Sequence, residues 1–77
     1  MVMVGEKQWQ GHAKGLLKAE LKRKVFTYKG LANTLTALGT PETEANLANN
    51  ISRGSFSAAF LLQCLNAIGC NNVSVTI

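Results

Sequence analysis

The segment Asn46–Ser57, NLANNISRGSFS, places Asn46, Asn49, Asn50 and Arg53 at relative positions i, i+3, i+4 and i+7. On an α-helix that spacing gathers four side chains on one face. An asparagine carboxamide both donates and accepts, so it can pair in bidentate fashion with N6 and N7 of adenine, as an arginine guanidinium does with O6 and N7 of guanine. Thr43, one turn before Asn46, falls on the same side of the wheel. The plainer reading stays open beside this one. Asparagine is also an ordinary solvent-facing or loop-capping residue, and Arg53 next to Gly54 is placed to bond the last carbonyls of a helix.

A second set of residues could supply affinity rather than reading. Lys14, Lys18 and Lys22 form an i, i+4, i+8 stripe, flanked by Arg23 and Lys7, with Lys29 a little further on. These cations either neutralise phosphates or form the solvated face that keeps a small protein soluble. The net charge is +4 over 77 residues, and it is unevenly placed: residues 1–30 carry +5 and residues 31–77 carry −1. Electrostatic attraction to nucleic acid would therefore originate in the first helix and its surroundings.

Other chemistries find no materials. His12 is the only histidine, aspartate does not occur, and the four glutamates are scattered. No nucleophile–histidine–acid set, glycine-rich phosphate loop or metal cluster can be assembled, so the expectation is a non-enzyme without metal or cofactor. Cys64 and Cys70 fit neither a disulfide framework nor a paired metal knuckle and are read as reduced thiols, Cys64 in the core. His12 reads as a surface residue. Trp9, Phe26, Tyr28, Phe56 and Phe60 read as core or interface fillers rather than stacking platforms. The longest strongly apolar run, Ala58–Leu62, is far short of the roughly 20 residues that span a bilayer. MVMVGEKQWQ lacks the features of a secretory signal, so the expected compartment is the cytoplasm.

Four helices must carry these residues. Apolar positions 9, 13, 16, 17, 21 and 25 predict a first helix over 7–25. Thr27 has the chemistry of an N-cap for a second helix over 28–38, with Leu31, Ala32, Leu35 and Leu38 inward and Gly39 as a left-handed stop. Thr40-Pro41-Glu42 reads as a restart, predicting a third helix over 41–53 with Leu47, Ala48 and Ile51 on its buried side. Ser57 caps a fourth over 57–68, in which Leu61, Cys64, Leu65 and Ile68 face in and Gly69 terminates. Val73, Val75 and Ile77 then alternate with Ser74 and Thr76, which predicts a short strand over 73–77. Its hydrogen-bonding partner would be Met1–Val4 or the same strand of a second copy. The whole of 1–77 reads as a single domain.

Between Lys18 and Cys70 the chain resembles the lambda-repressor and Cro-like helix-turn-helix family. LKRKVFTYKGLANTL is similar to its first and second helices, NLANNISRG to the end of its recognition helix, and FSAAFLLQCLNAIGC to the helix that follows. Nearly the whole chain from Trp9 also resembles a small family of uncharacterised bacterial proteins, ISRGSFSAAFLLQCL being the most specific part. Three features depart from the repressor pattern. The connection TALGTPETEA is longer, the loop after Gly54 is shorter and lacks basic residues, and Glu42 and Glu44 add negative charge at the start of the third helix.

The resemblance implies a mainly α, four-to-five-helix domain of lambda-repressor type, here with a short C-terminal β-strand. It implies a DNA-binding, transcription-associated protein that engages double-stranded DNA; so few positive charges would bind weakly in a monomer, so the expectation is a homodimer, with Val73–Ile77 offering an isologous antiparallel contact. Thr43, Asn46, Asn49, Asn50 and Arg53 would read bases; Lys14, Lys18, Lys22, Arg23 and Lys29 would contact phosphates. The alternative is a protein-interaction module that kept the fold without the groove contacts.

Overall fold

A computed structural model of the chain describes residues 5–75. Four helices follow one another: α1 (Glu6–Arg23), α2 (Tyr28–Ala37), α3 (Glu44–Arg53) and α4 (Ala58–Ala67). The protein is mainly α, and no strand occurs among the described residues. Both α3 and α4 pack across α1 and α2, whereas α1 and α2 do not approach each other closely, nor do α3 and α4.

Local chemistry explains each helix start. Gly5 N–H donates to Oε1 of Gln8 at 2.8 Å ahead of α1. Hydroxyl caps begin the other three: Thr27 Oγ1 accepts from Gly30 N–H at 3.0 Å, Thr43 Oγ1 from Asn46 N–H at 3.1 Å, and Ser57 Oγ from Phe60 N–H at 3.1 Å. Each satisfies one of the backbone donors that a helix leaves unpaired in its first turn.

The third helix starts three residues later than its restart motif suggests, and the cause lies in tertiary contacts. Thr40 N–H is already bonded to the Leu35 carbonyl at 2.8 Å, completing the end of α2. Thr36 Oγ1 donates to the Ala32 carbonyl at 2.9 Å and accepts from Glu42 N–H at 3.2 Å, which holds Pro41 and Glu42 outside the helix. The hydroxyl that caps α3 is that of Thr43.

The core is built from the inward stripes. Leu17, Leu31, Leu47, Ile51 and Cys64 are fully buried, joined by Leu21, Ala32, Leu35, Leu65, Ile68 and Cys70. Phe26, Tyr28, Phe56 and Phe60 pack around its edge half-exposed, Phe56 and Phe60 with ring centroids 5.3 Å apart. Trp9, read as a core or interface filler, is 46% exposed, and two further expected core positions lie outside the core beyond helix ends: Val25 is 89% exposed and Leu38 is 59% exposed. Both sit just past a helix end, where the chain has left the wheel. His12, expected at the surface, is half-buried against the Trp9 ring, and its Nε2 is buried without a hydrogen-bond partner among the described residues.

The expected strand is absent over residues 73–75; Thr76, Ile77 and the proposed partner Met1–Val4 lie outside the described residues. In a strand Val73 and Val75 would share a face. Instead Val73 packs on the core while Val75 is 70% exposed. The chain reaches this path through the closing turn of α4, where Cys70 N–H bonds the Leu65 carbonyl at 2.9 Å.

Helix α1 ends in the same way, with Phe26 N–H bonded to the Leu21 carbonyl at 2.8 Å and Val25 N–H to the Lys22 carbonyl at 3.1 Å. This paired 6→1 and 5→2 pattern requires a left-handed residue at its centre. After α2 and α4 that residue is glycine, but after α1 it is Val25, at φ 60°. A β-branched side chain there is strained by roughly 1–2 kcal/mol.

A different constraint acts at Gly54, which ends α3 at φ 72° and is buried. A Cβ at this position would lie 2.9 Å from the Gln10 carbonyl oxygen and 3.5 Å from Lys14 Cβ, so α3 meets α1 backbone to backbone.

In urea unfolding, Gly54→Ala should lose at least about 3 kcal/mol, because both backbone conformation and the α1 contact are violated. Gly69→Ala, also at positive φ but with open space around it, should lose only about 1 kcal/mol. Val25→Gly should raise the unfolding free energy by up to about 1 kcal/mol, by removing the left-handed strain.

Candidate functional site

The wheel of α3 divides cleanly. Leu47 and Ile51 are fully buried, Asn50 is half-buried, and Asn46, Asn49 and Arg53 are exposed. Thr43 sits at the helix start as its cap, so its oxygen is already an acceptor for a backbone N–H. What α3 offers to solvent is thus a row of carboxamides ending in a guanidinium. Glu44 is exposed in its first turn and Glu42 is half-buried just before it.

The five cations proposed for phosphates are not equivalent. Lys14 Nζ donates to the carbonyl oxygen of Ser52 at 3.2 Å, in the last turn of α3. There it faces the negative end of the helix dipole and binds α1 to α3. Arg23 Nε donates to Glu20 Oε1 at 3.1 Å, and its Nη2 pairs with the same oxygen. Glu20 also accepts from Cys70 Sγ at 3.3 Å. The Arg23 bond and then the Cys70 bond hold the Glu20 carboxyl below the usual carboxylate range.

Among the described residues Lys18, Lys22 and Lys29 make no hydrogen bond or ion pair. Lys18 and Lys22 border a groove of about 320 Å³ whose other walls are Leu21, Phe26, Thr27 and Tyr28. Lys29 follows directly in the first turn of α2 and is exposed. Lys18 and Lys22 therefore border the corner between α1 and α2, and Lys29 follows Tyr28 of its lining in sequence. No residue of α3 lines that groove, so the amide row and the lysine corner are separate surfaces.

Sequence reasoning missed the Ser52 carbonyl as the acceptor for Lys14, and it missed Cys70. Cys70 is buried beside Glu20, 50 residues away in sequence, with the Asn72 carbonyl oxygen a second acceptor at 3.4 Å. One signal existed: Cys70 follows Gly69 at the position where this helix-ending motif usually places an apolar residue. Cys64 lies in the core as expected, and burial, with the Glu42 charge as a smaller cause, pushes its thiol up to about 11. Both cysteines are free thiols.

The class defined here is a small four-helix protein, and among the described residues no helix is long and apolar enough to cross a membrane. Over residues 9–73 the chain matches the family described as Domain of unknown function (DUF6471), and it belongs to that family. Neither a curated protein nor a solved structure matches it.

Thr43 separates a structural role from a contact role. Thr43→Ala should cost about 1 kcal/mol of stability through the lost cap, measured by thermal or urea unfolding, while Thr43→Ser should stay within a few tenths of the parent. An unchanged Thr43→Ala midpoint would mean the hydroxyl does not support α3.

Proposed function

We propose that this chain is a DNA-binding protein of helix-turn-helix type, in which α3 enters the major groove and the α1–α2 corner binds the flanking phosphates. The observation that carries the reading is the division of α3. Fully buried Leu47 and Ile51 fix one side of the helix, and the opposite side presents Asn46, Asn49 and Arg53 to solvent. These are the side chains whose donor and acceptor geometry matches adenine and guanine edges. Two further features support it. The α2–α3 unit is joined by a compact connection, Leu38–Thr43, held by the Thr36 hydroxyl. The positive end of α2 carries an unengaged lysine, Lys29, and adjoins two more, which suits phosphate oxygens.

In this reading Lys18, Lys22 and Lys29 supply most of the phosphate contact, because Lys14 and Arg23 already hold protein acceptors. Asn46, Asn49 and Arg53 do the reading, with Asn50 and Thr43 at the margin of the face. A second reading has one observation in its favour. Glu42 and Glu44 stand at the N-terminal end of α3, where they repel phosphates, and this would suit a helix-turn-helix fold used to bind another protein.

Fluorescence anisotropy with a mixed-sequence duplex, titrated over a range of salt, separates the two. DNA binding predicts log K falling linearly with log salt, with a slope of roughly −0.9 per phosphate neutralised. Changing Lys18, Lys22 and Lys29 together to alanine should flatten that slope by about 3. Asn49→Ala should leave the slope unchanged and relax base preference at one position, by about 1–3 kcal/mol of discrimination. Binding without a salt slope, or none at all, would remove the proposal in favour of the protein-interaction reading.

A further inference from the structure

We infer that α4 and the segment after it form the docking face for a second copy of this chain, in a two-fold contact centred on Leu62. From Gly54 to Ile77, 24 consecutive residues, there is no Lys, Arg, Asp, Glu or His. Every charged side chain of the protein lies on α1, α2, α3 or the turns between them. Within the uncharged stretch Leu62 stands at the middle of α4 and is 65% exposed. Ala58 and Asn66, one turn to either side of it, are exposed as well. Beside this row runs a cleft of about 370 Å³ between α4 and residues 70–73, with Leu62 and Asn66 on one wall and Asn71, Asn72 and Val73 on the other.

The composition of this face selects its occupant. A charged partner would give up hydration on docking here and find no opposite charge in return. A second copy brings an equally uncharged face by symmetry. Carboxamides are self-complementary, since each donates and accepts, so Asn66, Asn71 and Asn72 can pair with their own symmetry mates. Lysines or glutamates related by a two-fold axis could only repel. The small Ala58 lets the two α4 axes come close, and an apolar centre within an amide rim matches the anatomy of a stable interface.

Charge elsewhere points the same way. Copies meeting through α1 and α2 would bring their lysines together, while copies meeting through α4 keep the net +4 of each chain apart. A ten-residue helix, about 15 Å long, plus the adjoining segment makes a modest face, at the small end of specific interfaces. The contact uses helix faces, so it does not depend on the Val73–Ile77 strand. Nor does it depend on DNA binding, because its readout is mass in the absence of nucleic acid.

Sedimentation equilibrium of the full chain from about 1 µM to about 1 mM should show a monomer–dimer equilibrium. Leu62→Glu should weaken it at least tenfold while far-UV circular dichroism stays that of the parent. Mixing Leu62→Glu with Leu62→Lys should restore dimers, because side chains near the axis face each other. Asn66→Asp, which changes charge at nearly constant volume, should also weaken association and serves as the second variant if Leu62→Glu does not fold. A parent chain that stays monomeric throughout, a Leu62→Glu or Asn66→Asp dimer as tight as the parent, or a charge-swapped mixture that fails to associate would each overturn the inference.

Discussion

The contact between the end of α3 and the first half of α1 is what the rest of the molecule depends on. Gly54 brings its backbone to where a Cβ would stand 2.9 Å from the Gln10 carbonyl oxygen, and one turn along α1 Lys14 reaches the Ser52 carbonyl at 3.2 Å. Helix α3 has ten residues and only two of them are fully buried. An isolated helix of that length is marginal in water, and two apolar anchors alone would leave its rotation loosely set. Fixing its C-terminal end against α1 and its N-terminal end by the Thr43 cap and the Thr36–Glu42 bond removes that freedom. The outward direction of Asn46, Asn49 and Arg53 follows from these two fastenings as much as from Leu47 and Ile51.

The legible parts of the fold are those decided by neighbours in sequence. Thr27 and Ser57 are hydroxyls immediately before an apolar-periodic run, and both cap the helices they precede. The stripes Leu31–Ala32–Leu35 and Cys64–Leu65–Ile68 are buried because every member lies on one face of one helix or in its closing turn. Where two local solutions competed, distant groups decided. Thr40-Pro41 and Thr43-Glu44 are both sound helix starts, and the Thr36 hydroxyl, by holding Glu42 N–H, favours the second. Val25 continues the apolar period of α1 yet stands beyond its closing turn, and alternation at Val73 and Val75 describes a strand only where a partner strand exists.

The candidate site was legible in the same uneven way. The amide row of α3 is a property of one wheel, so Asn46 and Asn49 face solvent where the spacing puts them. The lysine stripe of α1 is equally periodic, but its members have different neighbours. Lys14 bonds a carbonyl 38 residues away and Lys18 borders the groove at the start of α2. No pattern within the helix distinguishes them. Cys70 and Glu20 meet for the same non-local reason.

Charge is segregated along the chain and, because of the packing, in space. The lysine corner lies between α1 and α2, the amide row lies on α3, and the face without charge lies on α4. Helices α3 and α4 both lean on α1 and α2 but not closely on each other. The arrangement matters for the proposed activity, because the three lysines of the α1–α2 corner on a chain of net charge +4 give one copy few phosphates to neutralise. Salt dependence grows with the number of phosphates contacted, and two copies joined through their uncharged faces would double that number without adding a charge to either chain. They would also present two α3 helices related by a two-fold axis, the relation that symmetric half-sites on a duplex require. The absence of charge after Arg53 and its concentration before Lys29 are, on this view, two sides of one requirement: copies must approach each other where they do not repel and approach DNA where they attract.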